Sequence, residues 1–276
     1  MRTFLLTAAA LVGFAANSLL TRGALGANRL DAASFTGIRL AAGALALALL
    51  VGLRARPRRE RGTWAAAAAL AGYAVAFTLA YRRVGASVGA LVLFGSVQIT
   101  MIGTGLVRGE RPHRSDWAGV ALAVAGLLVL TLPGATAPDG LGTALMVVAG
   151  AAWGVYSLLG RGSRDPMGAT AGNFARATLA GVALVAASGA SRHVTTSGVC
   201  LAATSGALAS GVGYTLWYAA LPALSAWRAG LVQLVVPVLT ALGATWLLGE
   251  TISRRLVAAA LLVTSGVALT MQRRGR

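Results

Sequence analysis

Ten apolar runs follow one another along this chain, each long enough to cross a bilayer, with only short charged or turn-rich breaks between them. They lie at 3–21, 31–53, 63–81, 86–108, 115–132, 140–160, 166–188, 196–219, 223–248 and 253–272. A spanning helix needs about 20 mostly apolar residues. Ten such helices use roughly 200 residues of the 276 present, which leaves loops and no room for a soluble domain. Backbone inside lipid must satisfy its own hydrogen bonds, so only helices or closed barrels can span. A barrel strand alternates polar and apolar residues over about ten positions, and stretches such as Trp64–Leu70 do not alternate. The expected fold is an all-α integral membrane protein of ten transmembrane helices.

Composition excludes other classes. Only 11% of residues are charged, against roughly a quarter in a soluble domain, and the deficit runs the whole length. The net charge of +17 would suggest nucleic acid in a soluble protein. Here every basic residue is Arg, and nearly all sit between apolar runs, so no nucleic-acid partner is expected. Cys200 is the single cysteine, and His113 and His193 both fall in loops. No metal set, cofactor or intrachain disulfide is expected. Met1-Arg2 and the run behind it imitate a signal peptide. The run continues to about Leu20 with no clear cleavage site and leads directly into further spans, so it reads as a retained first helix.

Arginine distribution sets an expected orientation. With the N-terminus inside, fifteen arginines fall on the inner side and seven on the outer, while Arg39 and Arg176 lie within spans. Both termini are therefore expected in the cytoplasm, in the inner (plasma) membrane of a bacterial-type cell.

The chain also repeats itself. Ser18-Leu19-Leu20-Thr21-Arg22-Gly23 matches Ser157-Leu158-Leu159-Gly160-Arg161-Gly162 at an offset of 139, and Gly109-Glu110 matches Gly249-Glu250 at 140. At 140 again, Leu91, Thr100, Gly103, Arg114 and Gly126 match Leu231, Thr240, Gly243, Arg254 and Gly266, while Arg39 aligns with Arg176 at 137. Ordered matches with so little drift mark an internal duplication, with repeats at 1–135 and 136–276. Each repeat holds five helices, an odd number, so the second must insert upside down. Inverted repeats of this kind recur in secondary transporters, with substrate bound near the midplane.

Several short motifs extend the pattern: Asn17-Ser18-Leu19-Leu20, Ser34-Phe35 to Arg39-Leu40, Ala86-Ser87, Gly109-Glu110-Arg111-Pro112, Trp117 to Leu122, Ala152 to Ser157, Val236-Pro237-Val238 and Leu248-Gly249-Glu250. In this order they resemble the EamA branch of the drug/metabolite transporter superfamily, over essentially the whole chain. The resemblance implies ten helices in inverted five-helix repeats, cytoplasmic termini and movement of small metabolites, often export of amino acids. One departure is that members often carry a proline in helix 4 matching Pro237, where this chain has Val97 beside Gln98.

Polar and aromatic residues within spans are the candidate site. All seven acids lie at span ends or in loops. A proton antiporter for cationic drugs needs a buried carboxylate, so zwitterionic or anionic solutes, or facilitated diffusion, fit better. Arg39 and Arg176 are intramembrane cations, which by default suggests function. A guanidinium can fork onto a substrate carboxylate or tie neighbouring helices together, and the symmetric placement favours the tie. Tyr73, Phe77, Trp153, Tyr156, Tyr214 and Trp217 could line a cavity for amphipathic solutes or pack between helices. Asn17, Gln98, Asn173 and Gln233 could bind substrate or a neighbouring helix. Pro237 removes a backbone bond and marks a hinge or gate. Glu110 and Glu250 each follow Gly at a helix exit, which suits capping between consecutive helices, with gating as the alternative. The expectation is a metabolite exporter or facilitator working by alternating access, not an enzyme. Its partners are a small-molecule substrate and the lipid bilayer; a homodimer is compatible with the sequence but not demonstrable from it. The alternative is a non-transporting scaffold or a subunit handling lipid headgroups.

Overall fold

The computed structural model describes residues 1–54, 60–81, 83–84, 86–132, 139–189, 193–248 and 252–271, with backbone alone at 86, 87 and 248. The helices are α1 (Arg2–Thr21), α2 (Ala32–Gly52), α3 (Trp64–Tyr81), α4 (Ala86–Val107), α5 (Arg114–Thr131), α6 (Gly140–Gly160) and α7 (Pro166–Ala187). The eighth span comprises α8 (Thr196–Thr204), a wide turn (Ser205–Val212) and α9 (Gly213–Ala220). The ninth comprises α10 (Ala226–Val232) and α11 (Val235–Leu248), and the tenth is α12 (Arg254–Met271). Nine spans among the described residues are long and apolar enough to cross a bilayer. The remaining one, α7, has 22 residues and is made less apolar by Asn173 and Arg176. The protein is an all-helical, multi-pass membrane protein.

Short polar side chains start the helices. Asp31, Asp139 and Asp165 cap α2, α6 and α7, each accepting from a backbone N–H three residues on, at 2.9, 2.8 and 3.1 Å. His113 and Asp116 form a capping box on α5. An N-terminal carboxylate satisfies orphan donors and meets the positive end of the helix dipole. This accounts for acids at the span ends. The outer surface carries large apolar groups such as Phe4, Leu49, Ile99 and Trp246, as a lipid-facing surface should.

Packing brings early and late helices together. α2 lies on α7, α5 on α12, α3 and α4 on α6, and α1 on both the eighth and ninth spans. Small residues allow the close approach expected of membrane helices. A side chain at Gly206 would land on the backbone of Arg39, so the wide turn of the eighth span rests directly on α2.

Two faces follow from the loops. On the first lie the ends of α2, α4 and α6 and the starts of α3 and α7, joined by the Arg54–Asp165 ion pair at 2.8 Å and the Arg161–Glu110 pair at 3.2 Å. On the second, Arg83 pairs with Asp139 at 3.6 Å, and Leu30 bridges Val194.

Candidate functional site

The centre of the bundle is aromatic. Phe14 meets Trp153, Tyr214 and Trp217 edge-on with centroids 5.1, 5.6 and 5.6 Å away. Trp153 lies 4.7 Å from Tyr214 and 5.1 Å from Tyr73, and Tyr73 lies 5.6 Å from Phe77. The cluster continues toward the first face through Tyr156 to Tyr218, 4.8 Å apart. Such tilted and edge-on contacts suit the ring quadrupoles. The rings come from α1, α3, α6 and the eighth span, so no single segment builds the site.

A small chamber of about 30 Å³ sits in this cluster, lined among others by Asn17, Tyr73, Trp153, Tyr214 and Gln233. It adjoins a wider cavity of about 220 Å³ that shares Ser18, Phe77, Leu93 and Phe94 with it. The wider cavity runs toward the second face, past Arg22, Tyr81, Val84 and Thr131.

At the first face, ion pairs and hydrogen bonds tie the described helix ends together. Glu110 accepts from the Ala226 backbone N–H at 2.9 Å and from Arg161 Nη1 at 3.2 Å, while Arg161 Nη2 donates to the Leu224 carbonyl at 3.0 Å. Glu60 accepts from Ser163 Oγ and the Arg164 backbone N–H, both at 2.7 Å. Glu110 thus caps α10, not the following α5, whose N-terminus His113 and Asp116 already occupy. Its repeat counterpart Glu250 lies outside the described residues.

Arg39 is 1% exposed and sits behind the chamber wall. Its Nε donates to Ser210 Oγ at 3.0 Å and its Nη2 to the Tyr214 hydroxyl at 2.6 Å. The guanidinium lies 5.4 Å from the Tyr73 ring centre, and Nη1 has no hydrogen-bond partner among the described residues. Arg176 behaves differently. It is half-buried, bonds the Arg61 and Gly172 carbonyls and covers Trp64 at 5.2 Å. The two aligned arginines therefore have unlike surroundings: one lies in the core, the other at the first-face loop.

The uncharged candidates divide as well. Asn17 lines the chamber, and its Oδ1 accepts from Ser205 Oγ at 2.6 Å. Gln233 lines it too, accepting from Trp153 Nε1 at 2.5 Å. Trp217 is fully buried beside the chamber, its Nε1 on Ser157 Oγ at 3.0 Å. Gln98 donates to the Gly230 carbonyl at 2.7 Å, across to α10. Asn173 accepts from the Thr63 backbone N–H at 3.0 Å. Its Nδ2 and the Tyr156 hydroxyl are buried without partners, between the chamber and the first face.

Pro237 lies in α11 and lines the wider cavity. The break in the ninth span lies at Gln233–Leu234, one turn upstream, because a proline lacks the N–H that its fourth predecessor's carbonyl would accept. Around it the backbone tightens, with Gln233, Leu234 and Val236 each donating three residues back at 3.0 Å. Gln233 Nε2 bonds the Ala229 carbonyl at 3.0 Å, so side chains satisfy what the break exposes.

Phe14 escaped sequence reasoning because a phenylalanine in an apolar run carries no polar tip. Its spacing of three and four from Asn17 and Ser18 places all three on one face of α1.

A family model of the EamA-like transporter family matches residues 1–132 and again 140–272. An uncharacterized protein of Pseudomonas aeruginosa is 50% identical over 271 residues, covering 98% of this chain and 94% of that one. A crystal structure superposes with a TM-score of 0.80 at 18% identity over 98% of this chain and 97% of the other. At that identity it is a likeness of fold alone. With the family pattern matched across nearly its whole length, this chain belongs to the EamA-like transporter family.

Proposed function

We propose that this protein moves a small metabolite across a bacterial-type inner membrane by alternating access, as an exporter or facilitator with both termini in the cytoplasm. The observation that carries the reading is the one-sided path. A cavity reaches from the second face to an aromatic and polar chamber at mid-depth, while ion pairs and helix caps close the first face. Such an arrangement is one of the two access states. The arginine bias makes the closed face cytoplasmic.

Inversion of the halves supplies the second state. The reading is supported by the repeated sequence, by the double family match and by pairing of α2 with α7 and of α5 with α12, each to its own counterpart. Two similar halves of opposite orientation can exchange conformations, which gives two states of similar energy. The discontinuous ninth span provides a joint beside the chamber. Purified protein in liposomes tests the proposal by uptake of a defined solute mixture read by mass spectrometry. Transport of one or a few small metabolites is the expected result. Folded protein that moves none of them would overturn it.

A further inference from the structure

Arg39 sets the charge beside the chamber. Arg39 is a buried guanidinium whose described partners are all neutral: Ser210, Tyr214 and the face of Tyr73. A buried charge is tolerated where a counter-charge and full hydrogen bonding compensate it. Every acid among the described residues is engaged elsewhere. Asp31, Asp116 and Asp139 cap helices, Asp165 pairs with Arg54, Glu110 with Arg161, and Glu60 binds Ser163 and Arg164. Among the described residues no acid lines the chamber or the wider cavity. A buried cation behind the chamber, with no acid among the described lining residues, favours an anion there.

Donors are ready as well. Tyr214 accepts from Arg39 and interacts with the Tyr73 side chain, and a hydroxyl can turn its proton toward a better acceptor. Nη1 is buried and unspent. Tyr73 and Tyr214 line the chamber on one side and cover the guanidinium on the other. A carboxylate in the chamber would lie against Tyr73 and Tyr214, and its single charge would offset that of Arg39 behind them. The adjoining cavity of about 220 Å³, walled by Phe77, Tyr81, Leu93 and Phe94, has the room for an apolar body. An ammonium group would find no anion among the described lining residues.

Resting on the transport reading above, we propose that the chamber selects solutes with one carboxylate and no ammonium group, over zwitterions, neutral solutes and amines. The test is uptake into liposomes of four solutes with one apolar body: 3-phenylpropionate, its amide, the matching amine and phenylalanine. A broader mixture of monocarboxylates, amino acids, sugars and amines is run beside them. The monocarboxylates should enter at least about tenfold faster than the amide or zwitterion partners. Arg39→Gln should erase that ratio, Arg39→Lys should keep part of it, and Tyr214→Phe should reduce it while the protein melts normally. Faster uptake of a zwitterion, neutral solute or amine overturns the proposal and leaves transport standing. So does a selectivity ratio unchanged in a folded Arg39→Gln or Arg39→Lys protein. If no solute in either set moves, the transport reading fails and the anion proposal with it.

Discussion

At the scale of single residues, Arg39 shows how position along a helix and position in the molecule differ. It aligns with Arg176, yet one is 1% exposed at mid-bundle and the other reaches loop carbonyls at the first face. Arg176 answers to the tie between neighbouring segments that symmetry suggests. Arg39 makes such a tie with α9 and the turn before it and still leaves a donor unspent. Gly206 is the residue that lets this guanidinium's helix come so close. Gly206→Ala would drive Cβ into the Arg39 backbone, and overpacking of this kind costs about 1–3 kcal/mol. A lowered melting temperature in detergent checks this. Gly103→Ala, where nothing lies within 4 Å, is the control and should melt at or slightly above the parent. Gly62, at φ +67° against Asn173 and Ala169, should also resist alanine.

Elements come next. The ninth span is one apolar run in sequence and two helices in space, α10 and α11. Pro237→Ala restores the missing donor, so the break should close and the span straighten. Uptake is expected to fall several-fold without loss of thermal stability; unchanged uptake would show that the break plays no part in the cycle. Glu110 joins three elements by capping α10, pairing with Arg161 after α6 and closing the turn after α4. Its side chain and that of Arg161 are about a quarter exposed, so solvent screens part of the interaction. About 1 kcal/mol is a reasonable loss for Glu110→Gln, or roughly a five-fold shift toward opening of the first face. A cysteine placed at buried Ser157 in a Cys200→Ser background should then react several-fold faster with an impermeant maleimide from that face. An unaltered rate would remove Glu110 from the gate.

At the scale of the whole molecule, orientation rests on arginine counting, because a helical bundle alone has no inside or outside. Reporters fused to either terminus should both read as cytoplasmic. A terminus found outside would invert the assignment of the closed face. The single-sided cavity also predicts that solute applied from the second face protects chamber residues from modification in the resting protein. Solute on the first face should protect only after turnover.

The helical spans and their approximate limits were legible in the sequence alone. The reason is that lipid imposes one solution on spanning backbone, so length and apolarity suffice. Sequence also picked out the chamber's Asn17, Tyr73, Trp153, Tyr214 and Gln233, since polar atoms in lipid are costly and conspicuous. Which of the polar candidates meet could not be read there. The partners of Arg39 lie 171 and 175 residues away, and helix rotation and crossing, set by packing across the two halves, decide contacts at that separation. Tertiary structure alone sent Arg39 inward and Arg176 outward. It also turned Glu110 onto the ninth span rather than the fifth and made Phe14 the centre of the aromatic cluster. Apolar runs with loose small-residue seams specify that helices cross a membrane, and only their mutual packing specifies what they enclose.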